Sequence, residues 1–239
     1  MHGMAPQLAE IEAIRTSAEA APPLAELLVC LPATLISRAA QTATGRIAIG
    51  GEDCSAEVSG AFTGDISAEM LKDAGAAAVI VGHSERRQRH AETDAIVAAK
   101  AKAAQRVGLL AIICIGETLS QRLAGKALSV AGDQIAGSVP EGITASAIVI
   151  AYEPLWAIGT GHLPISDEIA EMHAHIRQCL LARFGGQGKE VRILYGGSVK
   201  PSNAREILAV PEVGGALVGG ASLKAVDFEG IFRSVPAPA

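Results

Sequence analysis

The chain has 239 residues, of which 49% are hydrophobic and 3% aromatic, and its formal net charge is −5. That is enough aliphatic side chain for one large domain, and the acidic balance without any basic run argues against nucleic acid as a partner. No run of about 18 uncharged apolar residues occurs and no apolar leader is read at the N-terminus, so no membrane association is expected and the protein is placed in the cytoplasm.

After Met1-His2-Gly3 the first amphipathic segment is a helix, so the strand–helix alternation of the chain is expected to lack one strand at its front. Short runs at 27–31, 47–50, 77–81, 109–113, 148–151, 191–195 and 216–218 are almost continuously apolar, the pattern of parallel strands covered on both faces. Helical patterns at 67–74, 94–106, 120–137, 167–184 and 203–208 lie between them, with starts at Thr93-Asp94 and Ser166-Asp167-Glu168 and stops at Gly75 and Gly108. Cys30, Cys54, Cys114 and Cys179 are far apart and form no C-x-x-C pair, which fits reduced thiols. No linker divides the chain, so 1–239 is one α/β domain with right-handed crossovers. Seven parallel strands suit an open doubly wound sheet or an eightfold barrel short of one member.

Three sets of residues carry chemistry. In Ala151-Tyr152-Glu153-Pro154-Leu155-Trp156, a carboxylate ends a buried strand and proline stops it, and a glycine-punctuated segment runs on to Gly161. Glu153 is then either a base beneath a lid formed by 156–161, or a carboxylate capping the next helix. In Val81-Gly82-His83-Ser84-Glu85-Arg86-Arg87, His83 stands at a strand end where a short helix begins. A helix N-terminus disfavours imidazolium, so His83 is either a neutral hydrogen-bond donor to a substrate oxygen or a half-buried histidine satisfied by backbone. Tyr195-Gly196-Gly197-Ser198-Val199 and Val218-Gly219-Gly220-Ala221-Ser222 follow the last two strands. Backbone N–H groups there suit a phosphate, although a single Gly-Gly turn is more often only a tight turn.

Together with Cys114-Ile115-Gly116-Glu117, these segments occur in the order found in the triosephosphate isomerase family, which the chain resembles over essentially its whole length. The resemblance implies a (β/α)8 barrel and cofactor-free exchange of dihydroxyacetone phosphate and D-glyceraldehyde 3-phosphate through an enediolate. It also implies Glu153 as base and His83 as neutral electrophile, roles long known in that family and taken over by motif match. Backbone at Gly159, Ser198, Gly219 and Gly220 would hold the phosphate, with Ser84, Glu85 and Cys114 behind the reacting groups. The loop 59–65, around Thr63, resembles the family's projecting third loop and implies a homodimer.

Two departures stand out. Family members begin with a strand ending in an asparagine, an aromatic residue and a lysine, and Met1-His2-Gly3 aligns with the residues just after that lysine. The strand, the asparagine and the lysine are therefore expected to lie outside this chain, through a start placed too late, a shortened polypeptide or natural loss of catalysis. Exposed sheet edges should result, Glu85 should lack its cationic neighbour, and turnover should fall by at least about 100- to 1000-fold, the usual cost of one oxyanion donor. The second departure is His162-Leu163-Pro164, which replaces a lysine-led hinge. The competing functions are an isomerase of a longer phosphosugar, such as a tetrulose phosphate, and a non-catalytic phosphate-binding barrel.

Overall fold

The structure is a computed structural model that describes residues 2–43, 45–158 and 164–236. Within these, six strands form one parallel sheet in sequential order. They are β1 (Leu27–Leu31), β2 (Ile47–Gly51), β3 (Ala78–Val81), β4 (Leu110–Ile115), β5 (Ile148–Tyr152) and β6 (Arg192–Tyr195). The main helices are α1 (Leu8–Glu19), α2 (Ala33–Thr42), α3 (Ala68–Asp73), α4 (Ser84–Arg89) and α5 (Asp94–Arg106). They continue with α6 (Leu119–Leu123), α7 (Ala127–Ser138), α8 (Ser166–Phe184), α9 (Ala204–Leu208) and α10 (Ala225–Phe232).

Side-chain alternation on the strands decides between the two architectures. Ala78, Ile80, Ile112, Cys114, Val149 and Ala151 form one cluster, joined by Leu28 and Cys30 from β1 and Leu217 from the far end of the sheet. A cluster shared by first and last strands requires the sheet to curl on itself, so one face lines a barrel interior and the other meets the helices. Val79, Val81, Ile113, Ile115, Ile150, Tyr152, Ile193 and Tyr195 point outward, into the larger core beneath the helices. The doubly wound alternative, which needs helices on both faces, is excluded.

The seventh apolar run does not make a full strand. Segment 216–218 lies parallel to β6 through a single bridge, Ala216 with Tyr195, supported by the bonds from Tyr195 N to Gly215 O and from Leu217 N to Tyr195 O. Among the described residues neither this segment nor β1 has a strand on its outer side. β1 is half-buried from Leu28 to Leu31, whereas β3 is wholly buried. The helical layer is continuous across the opening, where α1 packs against both α2 and α10.

The helix expected at 120–137 is broken in two. Gly125 takes φ +70°, the left-handed region where side chains are costly, and this ends α6 before α7 begins. Helix starts follow their caps: the Ser67 hydroxyl accepts from Met70 N, Thr93 from Ile96 N and Thr118 from Gln121 N.

Beneath α8, His173 is fully buried and stacks near Tyr152 and Tyr195, with ring centroids 6.0 and 6.4 Å away. Its Nδ1 faces the Glu212 carbonyl at 3.1 Å, while Nε2 has no partner. Burial pushes the imidazole pKa down to about 4. The unfolded chain takes up the proton near pH 6.5 and the folded chain does so only near 4. Stability is therefore full above the unfolded value and is lost as pH falls from 6.5 to 4, by about 3 kcal/mol. A His173→Gln variant should show a flatter urea-melt stability across that window; an unchanged slope would count against this assignment.

Candidate active site

The carboxyl ends of β3, β4 and β5 converge on one carboxylate. Glu153 follows β5, is 2% exposed, and has both oxygens engaged. Its Oε2 accepts from Ser84 N at 3.0 Å, and its Oε1 accepts from the Ser84 hydroxyl at 3.1 Å. His83 Nε2 lies 2.9 Å from the same Oε1. Residues 69 apart in sequence meet because β3 and β5 both flank β4.

His83 is the cap of α4: its Nδ1 accepts from Glu85 N at 3.3 Å. A ring nitrogen that accepts carries no proton, so this geometry belongs to the neutral Nε2–H tautomer, which donates to Glu153. Burial lowers the His83 pKa, but the hydrogen bond and charge of Glu153, with Glu85 and Glu52 adding, outweigh it and hold the pKa above the ordinary histidine value. The upward pull comes chiefly from the bound carboxylate. With Glu153 turned away, burial and the helix N-terminus favour the uncharged ring against the smaller pull of Glu85 and Glu52.

Cys114 lies against the same carboxylate, where burial and then Glu153 hold its thiol neutral. Arg87 binds the Cys114 carbonyl, the Ser138 hydroxyl and Asp94, tying β4 to α4, α5 and α7. A cavity of about 160 Å³, lined in part by Gly82, Ser84, Gly116, Gln134 and Glu153, lies beside the base.

The first lid residue is fixed. Trp156 Nε1 donates to Glu117 Oε1 at 2.8 Å, and that oxygen also accepts from the Tyr152 hydroxyl and Arg122. The Arg122 guanidinium lies 4.8 Å over the Trp156 ring and 2.8 Å from Glu168, in the first turn of α8. One arginine thus links Trp156 to the first turn of α8. Ala157 is buried and Ile158 exposed, and residues 159–163, which include Gly159, His162 and Leu163, lie outside the described residues.

The glycine turns divide into two kinds. A Cβ at Gly196 would stand 3.0 Å from Glu153 Cγ, and one at Gly197 would stand 2.2 Å from the Tyr195 hydroxyl. Those glycines are required by packing, a role that the sequence pattern does not assign. Gly219 and Gly220 are exposed, with open space where a Cβ would be, at the start of a short 3-10 turn. Ser198 is held through its carbonyl by Asn203. Glu85 is exposed and reaches the site through its backbone amide. Sequence reasoning assigns no role to Glu117, although it closes the Cys114–Glu117 motif, and does not reach Gln134 at all, since the importance of both comes from partners on other elements.

Fold and site together define a parallel α/β-barrel enzyme with a carboxylate–imidazole pair at the carboxyl ends of its strands. The sequence profile described as triosephosphate isomerase matches residues 1–235. Curated triosephosphate isomerases of Rhodopseudomonas palustris and of a Ruegeria species (strain TM1040) are each 58% identical, the alignments covering 99% of this chain and 94% or 95% of theirs. The crystal structure of triosephosphate isomerase from Bartonella henselae superposes with a TM-score of 0.91 at 50% identity, over 98% of this chain and 94% of that one. The chain belongs to the triosephosphate isomerase family and is an isomerase of that kind.

Proposed function

We propose that Glu153 and His83 carry out the triose phosphate isomerisation of this chain as proton-transferring base and neutral electrophile. The observation that supports this most directly is their contact at 2.9 Å, in a site where His83 donates from Nε2. With both oxygens bound to Ser84 and His83, the carboxylate is parked; it must leave Ser84 to reach a substrate carbon. It then removes the proton beside the carbonyl of dihydroxyacetone phosphate, leaving an enediolate whose oxyanion the imidazole N–H stabilises. His83 then carries the hydroxyl proton from the first oxygen to the former carbonyl oxygen, and return of the carbon-derived proton from Glu153 to the neighbouring carbon completes D-glyceraldehyde 3-phosphate. The lid beginning at Trp156 keeps water from the enediolate, which would otherwise expel phosphate. Backbone at Gly159, Ser198, Gly219 and Gly220 holds that phosphate, and the bare glycine surface after 216–218 supports this placement for the last two.

A coupled assay in both directions tests this function. Triose phosphates should turn over at least about tenfold better than a four-carbon ketose phosphate, a modest pocket-size discrimination. Equal or reversed preference would favour the longer-sugar reading. Binding of 2-phosphoglycolate without any turnover would favour a non-catalytic barrel.

Assembly as a homodimer is part of the same proposal. Loop residues 57–65 are exposed throughout, with Val58 at 51% and Phe62 at 47%. Apolar side chains on a projecting loop gain by burial against a second copy. Its base is rigid: Asp53 binds Lys100 and Arg86, and both cations also bind buried Glu92. Thr63→Arg should halve the sedimenting mass at micromolar concentration; an unchanged mass would remove this loop from the interface. Four unpaired cysteines fit a reducing, cytoplasmic setting, and among the described residues no helix is long and apolar enough to cross a membrane.

A further inference from the structure

The backbone of Glu153 hangs on three consecutive residues of another segment. Glu153 N donates to Ile115 O at 2.7 Å and Leu155 N donates to Glu117 O at 3.1 Å. Between them, the Glu153 carbonyl lies against Gly116 so closely that a Cβ there would stand 1.8 Å from its oxygen. The position of the base is therefore set by the Ile115-Gly116-Glu117 turn.

That turn leaves the sheet, so the central residue needs partners for its own N–H and C=O. A single side chain supplies both. Gln134 of α7 accepts from Gly116 N through Oε1 at 2.7 Å and donates to Gly116 O through Nε2 at 3.0 Å. Its amide does for one residue what a neighbouring strand would do. Gln134 is half-buried and lines the cavity beside Glu153, so without it water could satisfy both groups but would not fix their orientation.

The mount matters most when the base works. In the parked arrangement Ser84 and His83 also hold the carboxylate. Once the carboxylate leaves them, its placement depends chiefly on where the backbone holds it. We propose that Gln134 is a positioning residue for Glu153, holding the Gly116 turn so that the released carboxylate meets substrate in one orientation. This rests on the role of Glu153 proposed above.

Gln134→Met keeps the length and removes both hydrogen bonds. Amide exchange at Glu153 and Leu155 should speed up about tenfold or more as the mount loosens. Affinity for 2-phosphoglycolate, whose carboxylate stands where the enediolate forms, should fall about tenfold while inorganic phosphate binds within twofold of the parent. A misplacement below 1 Å suffices, since one of that size can cost about 100-fold in rate. For the same reason kcat should fall with KM changed less than about threefold. Gln134→Glu supplies the complementary readout if the methionine variant does not fold. Its carboxylate accepts from Gly116 N but repels Gly116 O, and protonation restores the second bond. The ratio of its kcat to the parent's should thus rise as pH falls.

Unchanged exchange at Glu153 and Leu155 would overturn the proposal. So would equal weakening of phosphoglycolate and phosphate binding, or a pH-independent activity ratio in Gln134→Glu. Failure of the parent to bind phosphoglycolate would instead overturn the functional reading, and the exchange measurement would still decide the role of Gln134.

Discussion

Glu153→Gln should lower kcat on the order of 1000-fold, within the range that a positioned general base supplies, with little change in the affinity for inorganic phosphate. The replacement keeps the shape of the side chain and one acceptor oxygen. The amide can still take a hydrogen bond from Ser84, whose N–H and hydroxyl lie 3.0 and 3.1 Å from the carboxylate. It cannot take a proton from carbon. Because fold and phosphate cradle are untouched, the loss should appear in kcat rather than in thermal stability. A variant retaining more than a tenth of parental turnover would remove Glu153 from the proton-transfer role. The same variant makes a second statement. With its negative charge gone, the largest upward influence on His83 disappears. The imidazole pKa, followed by NMR, should drop relative to the parent.

His83→Gln should cost about 100-fold in kcat, the lower end of what one preorganised oxyanion donor contributes. Glutamine can donate from its amide, but its acceptor oxygen does not sit where Nδ1 meets Glu85 N while the amide N–H reaches the Nε2 position, so the donor loses its fixed direction. The pH profile carries the sharper test. In the free enzyme His83 titrates above its ordinary value, because Glu153 stabilises the imidazolium against the cost of burial. As pH falls through that raised pKa, the two groups become an ion pair and neither is ready for its role, so kcat/KM should decline. The limb should be absent from His83→Gln. Stability runs in the opposite sense: a raised folded pKa contributes stability below the unfolded value, which is lost as pH rises through the folded one. A variant that keeps the parental acid limb would show that another group is titrating.

Much of the fold was legible from the order of residues. Runs such as 77–81 and 109–113 are almost continuously apolar because one side of each strand faces the barrel interior and the other the helices, and that double burial leaves no alternation. The helix start at Thr93 was marked by a side chain that accepts from the first turn, and α8 begins at Ser166 as read, although its cap is Ile165, whose N–H donates to Glu168. The helices α2 and α10 were not read from the sequence, and two of the elements that were read differ for local reasons. Gly125 breaks 120–137 because its backbone turns left-handed, a choice that a glycine permits but does not announce. Segment 216–218 reads as a strand, yet it makes a single bridge, Ala216 with Tyr195, and among the described residues has no strand on its other side.

Glu153 and His83 were visible as chemistry at strand ends, and their motifs carried the family resemblance. The sequence by itself determined the parallel α/β alternation, the acid and the imidazole, and the glycine turns, since each depends on residue type and short-range spacing. Only the tertiary structure decided that the sheet curls around Leu28, Cys30 and Leu217, that Ser84 holds the carboxylate, and that Gln134 supports the turn beneath it. Those are contacts between elements far apart in the chain. They arise from strand register and helix packing, and no local pattern of residues encodes a partner that only the curled sheet brings within about 3 Å.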